Sequence, residues 1–191
     1  MERLGADVSV VPLEDPLPGW WNKVRLFDPR LTPFRHLVFV DLDVVILKPI
    51  DHLLEHVGRA ELVHAQDLLD DMSSSFMIVD THSALARDVV AGFAPGEWSA
   101  ADVNDQHYFQ KVLRQGRYET IPLPWPDHYS YKYLIDHGDW RARTVNRNIE
   151  VMPLERITML NLHGYPKPHD VRDAPDTWPH ADAILRHWRA E

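Results

Sequence analysis

The sequence predicts an α/β protein: a mixed, mostly parallel sheet flanked by helices, folded as a single domain over residues 1–191. Three observations carry this. Strand-like and helix-like segments alternate along the chain, the pattern of layered α/β folds. The run "HLVFV" (His36–Val40) is apolar throughout after its histidine, as strands covered on both faces are. The 191 residues, 45% hydrophobic and 26% charged, suit one domain with a real core.

The elements follow in order. "VSVVPL" (Val8–Leu13) reads as a short strand ended by Pro12. "GWWNKVRLFDP" places Trp20, Val24 and Phe27 at helical spacing with Pro29 as a stop, so a short helix is predicted. The strand His36–Val40 comes next, closed by Asp41 and Asp43. "KPIDHLLEHVG" is a helical turn or two ending at Gly58. "AELVHA" and "SSFMIVD" read as strands, followed by a helix over His82–Gly92. "DVNDQHYFQKVLRQG" is an amphipathic helix stopped by Gly116, and "RYETIPL" is strand-like. Pro122–Trp140, rich in Pro, His and aromatic residues, reads as a long shaped loop. "ITMLNLHGYPKP" is a strand running into a rigid loop, and "HADAILRHWRA" is a terminal helix.

Composition narrows the function. A net charge of −9 argues against a general nucleic-acid binder, which needs a basic stripe. The absence of cysteine excludes disulfide and thiolate chemistry, so a metal would be held by oxygen and nitrogen ligands. No apolar run approaches the roughly 20 residues of a membrane span. The opening "MERLGADVSVVPLEDP" lacks a basic head and a continuous apolar stretch. A cytoplasmic location is the expectation.

The chemistry concentrates in "VFVDLDVVI". Burying an unpaired carboxylate is costly, so two aspartates set in an apolar run need a partner. Residues i and i+2 of a strand share a face. On that reading Asp41 and Asp43 aim at one point, with Leu42 turned back to the core. If the strand ends there, the point lies in the crevice at the carboxyl end of the sheet. Two convergent carboxylates repel unless a proton or cation sits between them, and Mg²⁺ or Mn²⁺ is the economical answer. The plain alternative is one aspartate capping a turn and the other solvated. A second cluster, "NLHGYPKPH", adds His163 after an apolar strand, then Gly164, then Lys167 between two prolines. An imidazole completes a metal sphere and favours Mn²⁺ somewhat over Mg²⁺. Gly164 admits close approach of a ligand to the backbone. Lys167 on a stiffened loop can hold a phosphate as a point charge.

D-L-D after one strand and H-G-x-P-K-P after a later one resemble a known family. The chain is similar to GT-A fold (Rossmann-like) glycosyltransferases of family 8, which includes glycogenin and bacterial lipopolysaccharide galactosyltransferases. The likeness runs from "GWWNKVRLF" through "VFVDLDVVI", "SSSFMIVD" and "NDQ" to "LHGYPKPH". It implies that Asp41 and Asp43 bind metal and sugar nucleotide, with His163 as third metal ligand and Gly164 beside it. It implies that Lys167 contacts the diphosphate and Lys23 the donor's phosphates or sugar. Ser73 and Ser74 take the place of the family's Asn- or Ser-containing entry to a strand lining the donor sugar, without its glycine. Their plain alternative is turn serines. Asp105 and Gln106 match residues facing the donor sugar, and a catalytic role near the anomeric carbon is assigned to them. Their alternative is a helix-start carboxylate and a surface amide.

The implied reaction moves a hexose from a nucleotide diphosphate sugar, a UDP-sugar favoured, to the hydroxyl of a carbohydrate or other acceptor, with Mn²⁺ or Mg²⁺. Trp20, Trp21, Trp125, Tyr129 and Tyr131 are candidate stacking faces for the acceptor, and "PWPDHYSYK" the candidate acceptor loop. Two rivals stand beside this. "FVDLDVV" also resembles haloacid-dehalogenase-type phosphatases, with Asp41 as nucleophile, Asp43 as general acid and Asp70 and Asp71 as a metal pair. Alternatively, because a single short strand precedes Trp20 where βαβ units are expected, the amino end reads as short. The chain would then be a weakly active or inactive glycosyltransferase fragment, at most a binding module.

Overall fold

The computed structural model describes residues 17–31, 34–66, 72–94, 104–135 and 151–188. The Val8–Leu13 segment and the Asp70–Asp71 pair lie outside the described residues.

The described strands form two sheets. The first contains His36–Val40 (β1), Leu62–Gln66 (β3), Met72–Asp80 (β4) and Thr120–Pro122 (β5), in the order β1-β4-β3-β5. The second contains Val44–Ile46 (β2), His128–Ser130 (β6) and Met159–Asn161 (β7), in the order β2-β7-β6. β4 is antiparallel to both β1 and β3, with His36 opposite Asp80 and Val63 opposite Ile78. β2 is antiparallel to β7, whereas the β3–β5 and β6–β7 pairs are parallel. The α/β class and the mixed sheet are found, but the expectation of a mostly parallel sheet is corrected. A continuous apolar run reports cover on both faces and says nothing of strand direction. β4 makes the point: it is buried along almost its whole length while antiparallel to both neighbours. β1, which suggested the parallel core, is only half-buried.

Gly19–Phe27 is a 3-10 helix that buries Trp21, Val24 and Phe27. That spacing of three matches the three residues per turn of a 3-10 helix. Trp20, the residue first assigned to this stripe, is instead 46% exposed. The α-helices are Asp51–Leu54 (α1), Ala84–Ala91 (α2), Asp105–Gln115 (α3), Pro168–Asp173 (α4) and Ala181–Trp188 (α5). Ser83 Oγ caps α2 by accepting from Ala86 N–H at 3.0 Å. Asn104 Oδ1 caps α3 by accepting from His107 N–H at 3.0 Å. Such caps satisfy donors that the helix itself cannot. α5 buries Ala181, Ile184 and Leu185, an i, i+3, i+4 stripe.

Three apolar clusters join these layers. Trp21, Val24, Phe27, Leu85, Val89 and Phe109 pack on Leu62, Met77 and Val79 of the first sheet. Val45, Tyr129, Tyr131, Leu160 and Leu162 pack with Ile184 and Leu185 of α5. Val44 and Met159 of the second sheet meet Val63, Phe76 and Ile78 of the first, with Leu53 between. The chain crosses from one sheet to the other at Asp41–Asp43, so the aspartates stand at their junction. The Pro122–Trp140 region, expected to be a loop, supplies β6 and a 3-10 turn, Tyr131–Tyr133, within its described part. Likewise, the rigid loop expected at Pro168 begins α4.

Candidate functional site

β1 ends at Val40, and Asp41–Asp43 forms a turn closed by Val44 N–H donating to Asp41 O at 3.1 Å. Asp41 N–H remains tied to Ser75 O at 2.8 Å. The two-residue alternation of a strand does not extend through this turn. Leu42, expected to face the core, is 95% exposed. The carboxylates do not converge on one point; each meets its own lysine. Lys23 Nζ donates to Asp41 Oδ2 at 2.7 Å, and Lys167 Nζ donates to Asp43 Oδ2.

Lys23 is no solvated surface lysine. Its side chain is 14% exposed and its ammonium also reaches Ser74 Oγ at 3.2 Å and Asp105 Oδ2 at 3.4 Å. Ser74 Oγ donates to Asp105 Oδ2 at 2.6 Å, which fixes the first residue of α3 against β4. Desolvation pushes the Asp41 carboxyl above its usual range, and Lys23 pulls it back only in part. Ser73, Ser74 and Ser75 lie inside β4 and are buried, so they are strand residues and not turn serines. Ser73 Oγ and Ser75 Oγ are 2.9 Å apart, and Ser75 Oγ is 2.8 Å from His128 Nε2.

The other wall comes from the ends of β6 and β7. His163 Nε2 lies 2.8 Å from Ser130 Oγ. Burial first, and then the nearby Lys132 ammonium, push the His163 imidazole down to about 4, so it is neutral near pH 7. Burial likewise pushes His128 down to about 4. Gly164 has φ +75°, a left-handed conformation that glycine adopts without steric cost. Lys167 N–H donates to Asp170 Oδ2 at 2.7 Å, which steadies the start of α4.

All ten residues singled out in the sequence line one cavity of about 1070 Å³. Lys23 lies on the 3-10 helix, Asp41 and Asp43 on the inter-sheet turn, and Ser73 and Ser74 on β4. Asp105 and Gln106 come from α3, and His163, Gly164 and Lys167 from the segment after β7. Of the five aromatic candidates, Trp20 lines the cavity; Trp21, Tyr129 and Tyr131 are core residues, and Trp125 packs against the core. Sequence reasoning missed Tyr133, Trp188 and Asn161, which also line it; His128 and Ser130, on the lining too, belong to the segment "PWPDHYSYK" read as the candidate acceptor loop. The alternation of polar and apolar side chains in His128–Tyr129–Ser130 was an available signal. So was the single polar residue, Asn161, in the apolar run of β7.

Asn161 bears on whether a cation suits this site. It is 4% exposed and its Oδ1 has no hydrogen-bond partner. An orphaned buried acceptor is uncommon. Two carboxylates, a neutral imidazole and this oxygen, all lining the cavity, are of the donor types Mg²⁺ and Mn²⁺ take. As arranged, the carboxylates hold ammonium groups, and among the described residues no three His, Asp or Glu side chains are grouped closely enough to hold a metal. The residues fit the cation as donors, while Lys23 and Lys167 pair with the two carboxylates.

The chain has a mixed α/β fold of the kind seen in solved glycosyltransferases. Two solved glycosyltransferase structures share it. The bifunctional glycosyltransferase WbbM, in its apo structure, matches over 87% of this chain and 35% of its own, with a TM-score of 0.55 and 13% identity. The galactosyltransferase LgtC, in complex with donor and acceptor sugar analogs, matches over 88% of this chain and 65% of its own, with a TM-score of 0.54 and 14% identity. The chain thus spans about a third and about two-thirds of these proteins, and the likeness is one of fold. No family model and no curated protein matches the sequence. Among the described residues no helix is long and apolar enough to cross a membrane.

Proposed function

We propose that this chain transfers a hexose from a nucleotide diphosphate sugar, with a UDP-sugar as favoured donor, to the hydroxyl of a carbohydrate or other acceptor. One observation carries the reading. Ten residues from five separate segments, chosen for donor binding and chemistry, line a single cavity in a glycosyltransferase fold. Its volume of about 1070 Å³ exceeds a typical small-molecule site and leaves room for donor and acceptor together.

The energetic problem of the reaction is the leaving diphosphate, whose charge grows as the glycosidic bond breaks. Lys167 offers an ammonium to that charge from a wall it already occupies, and preorganised charge of this kind is a large term in catalysis. Held by Asp41, Asp43 and His163, with Asn161 Oδ1 as a further oxygen, Mn²⁺ or Mg²⁺ would add Lewis-acid stabilisation of the leaving group. Asp105 is held at a fixed place by Ser74 and Lys23, and with Gln106 it faces the cavity as the candidate pair near the anomeric carbon. Ser73 and Ser74 contribute the sugar-facing wall. Trp20, exposed and on the cavity edge, is the stacking face for an acceptor ring.

The test is release of uridine diphosphate from UDP-glucose and UDP-galactose, with Mn²⁺ and a panel of sugar acceptors. Turnover that falls at least a hundredfold in Asp43→Asn and in Asp105→Asn supports the proposal. Donor binding without turnover turns the reading into that of a binding module. A folded protein that neither binds nor cleaves any donor removes it.

A further inference from the structure

β1 is built like an interior strand and placed like an edge strand. Phe39 packs on the cluster that holds the 3-10 helix and α2, and Val40 on the cluster between the two sheets. Apolar cover on both faces is what a strand with neighbours on each side has. Yet in the order β1-β4-β3-β5 it pairs with β4 alone. The hydrogen bonds show which backbone groups are left over. Thr81 N–H donates to Arg35 O at 2.8 Å, and Asp41 N–H to Ser75 O at 2.8 Å. In an antiparallel pair, residues that bond across alternate with residues that face away. Arg35, Leu37, Phe39 and Asp41 therefore bond to β4, and the N–H and C=O groups of His36, Val38 and Val40 point out of the sheet edge. Among the described residues no strand pairs with them, and Val38 is 41% exposed. Natural edges are blunted by a charge, a proline or a bulge. His36–Val40 contains no Pro, Lys, Arg, Asp or Glu and shows no register shift. The nearest guanidinium, Arg35, is drawn back to Asp80 at 3.1 Å.

We propose that β1 pairs antiparallel with β1 of a second copy of this chain about a two-fold axis at Val38, joining two four-stranded sheets into one. This register satisfies the whole edge. With Val38 opposite Val38, His36 falls opposite Val40, and every outward N–H of the three residues meets a C=O of the other copy. Moving the axis to Leu37 or Phe39 leaves Val40 or His36 without a partner inside the strand. The side chains match as well: Leu37 meets Phe39, and β-branched Val38 meets itself. One step further out Arg35, with its side chain 67% exposed, comes opposite Asp41 of the other copy, so opposite charges flank the apolar centre. A two-fold pairing closes on itself, which a head-to-tail contact does only when its rotation closes a ring. Asp41 lines the cavity, so the second copy stands beside its rim.

Sedimentation velocity of the full chain over a wide range of concentrations reads the association. The wild type shifts toward dimer as concentration rises. Val38→Lys brings two ammonium groups together on the axis and weakens dimerisation at least about tenfold. Val38→Ile keeps a β-branched side chain and dimerises as the wild type does. Far-ultraviolet circular dichroism identifies the folded variants. Where Val38→Lys is not folded, Val38→Pro replaces it, because it deletes an N–H that the chain's own sheet does not use. A cross-link tests the register. The chain has no cysteine, and opposed residues that exchange hydrogen bonds stand about 5.5 Å apart at Cα, within disulfide reach. Oxidised Val38→Cys therefore gives a covalent dimer on a non-reducing gel, and Thr120→Cys, on the far edge of the sheet, does not. A wild type that stays monomeric at every concentration overturns the proposal. So does a dimer that persists unchanged in folded Val38→Lys or Val38→Pro, since it then uses another surface. Cross-linking of Thr120→Cys without Val38→Cys places the interface on β5 and overturns it too.

Discussion

Lys23 Nζ lies 2.7 Å from Asp41 Oδ2, with both side chains largely withdrawn from solvent, at 14% and 26% exposure. This pair answers how a carboxylate is tolerated at the end of an apolar strand. The lysine arrives from a helix 18 residues upstream, passes over the Phe39 ring at 5.3 Å from its centroid, and reaches Asp105 as well. One ammonium therefore ties together the inter-sheet turn, β4 and α3.

Removing either member strands the other. Lys23→Met is expected to cost about 2 kcal/mol, less than the loss for a fully buried pair because Asp41 can still reach water. Asp41→Asn alone also destabilises, and the double variant loses at least about 1 kcal/mol less than the sum of the two. Urea unfolding of the four proteins measures this coupling. Additive losses would mean the pair is not a unit.

Leu42 gives the sharpest test of the turn. A leucine facing the core would cost about 2–5 kcal/mol on truncation, whereas one that is 95% exposed should cost less than about 0.5 kcal/mol. Leu42→Ser is expected to leave the urea midpoint unchanged. A large drop would restore the strand geometry that the sequence suggested.

The buried histidines make stability depend on pH. His128 and His163 have pKa values pushed to about 4 in the fold, against the usual 6.5. Protonation therefore favours the unfolded chain. Their contribution is fully present above pH 6.5 and declines as pH falls from 6.5 toward 4. His128 accounts for about 2 kcal/mol of the loss between pH 7.5 and 5. Urea unfolding at both values should show a smaller decline in His128→Gln than in the wild type. Equal declines would show that His128 is not held neutral.

Much of this was legible in the sequence, and the gaps have physical causes. β1 was read to the residue because an apolar run broken by charge has clear ends. The helix before it was read with Val24 and Phe27 on its buried stripe, but Trp20 was taken for Trp21, because the test assumed α-helical spacing and the segment turns every three residues. β2 was missed because it directly follows the aspartate turn, and β6 because its three residues sit in a stretch rich in Pro, His and aromatic residues that reads as a loop. Strand direction was misjudged because it leaves no mark on composition. The ten site residues came from a resemblance and from motif chemistry, and they do share one cavity. What no local pattern could give was pairing across the chain: Lys23 with Asp41 and Lys167 with Asp43.

The central claim is that this cavity binds a nucleotide diphosphate with the help of a divalent cation. The most direct measurement is a calorimetric titration of uridine diphosphate into the wild type and into Asp43→Asn, with and without Mn²⁺. The account predicts that Mn²⁺ tightens binding to the wild type at least tenfold and that Asp43→Asn abolishes this gain. A folded wild type that binds no uridine diphosphate, or an Mn²⁺ gain that survives in Asp43→Asn, would contradict it.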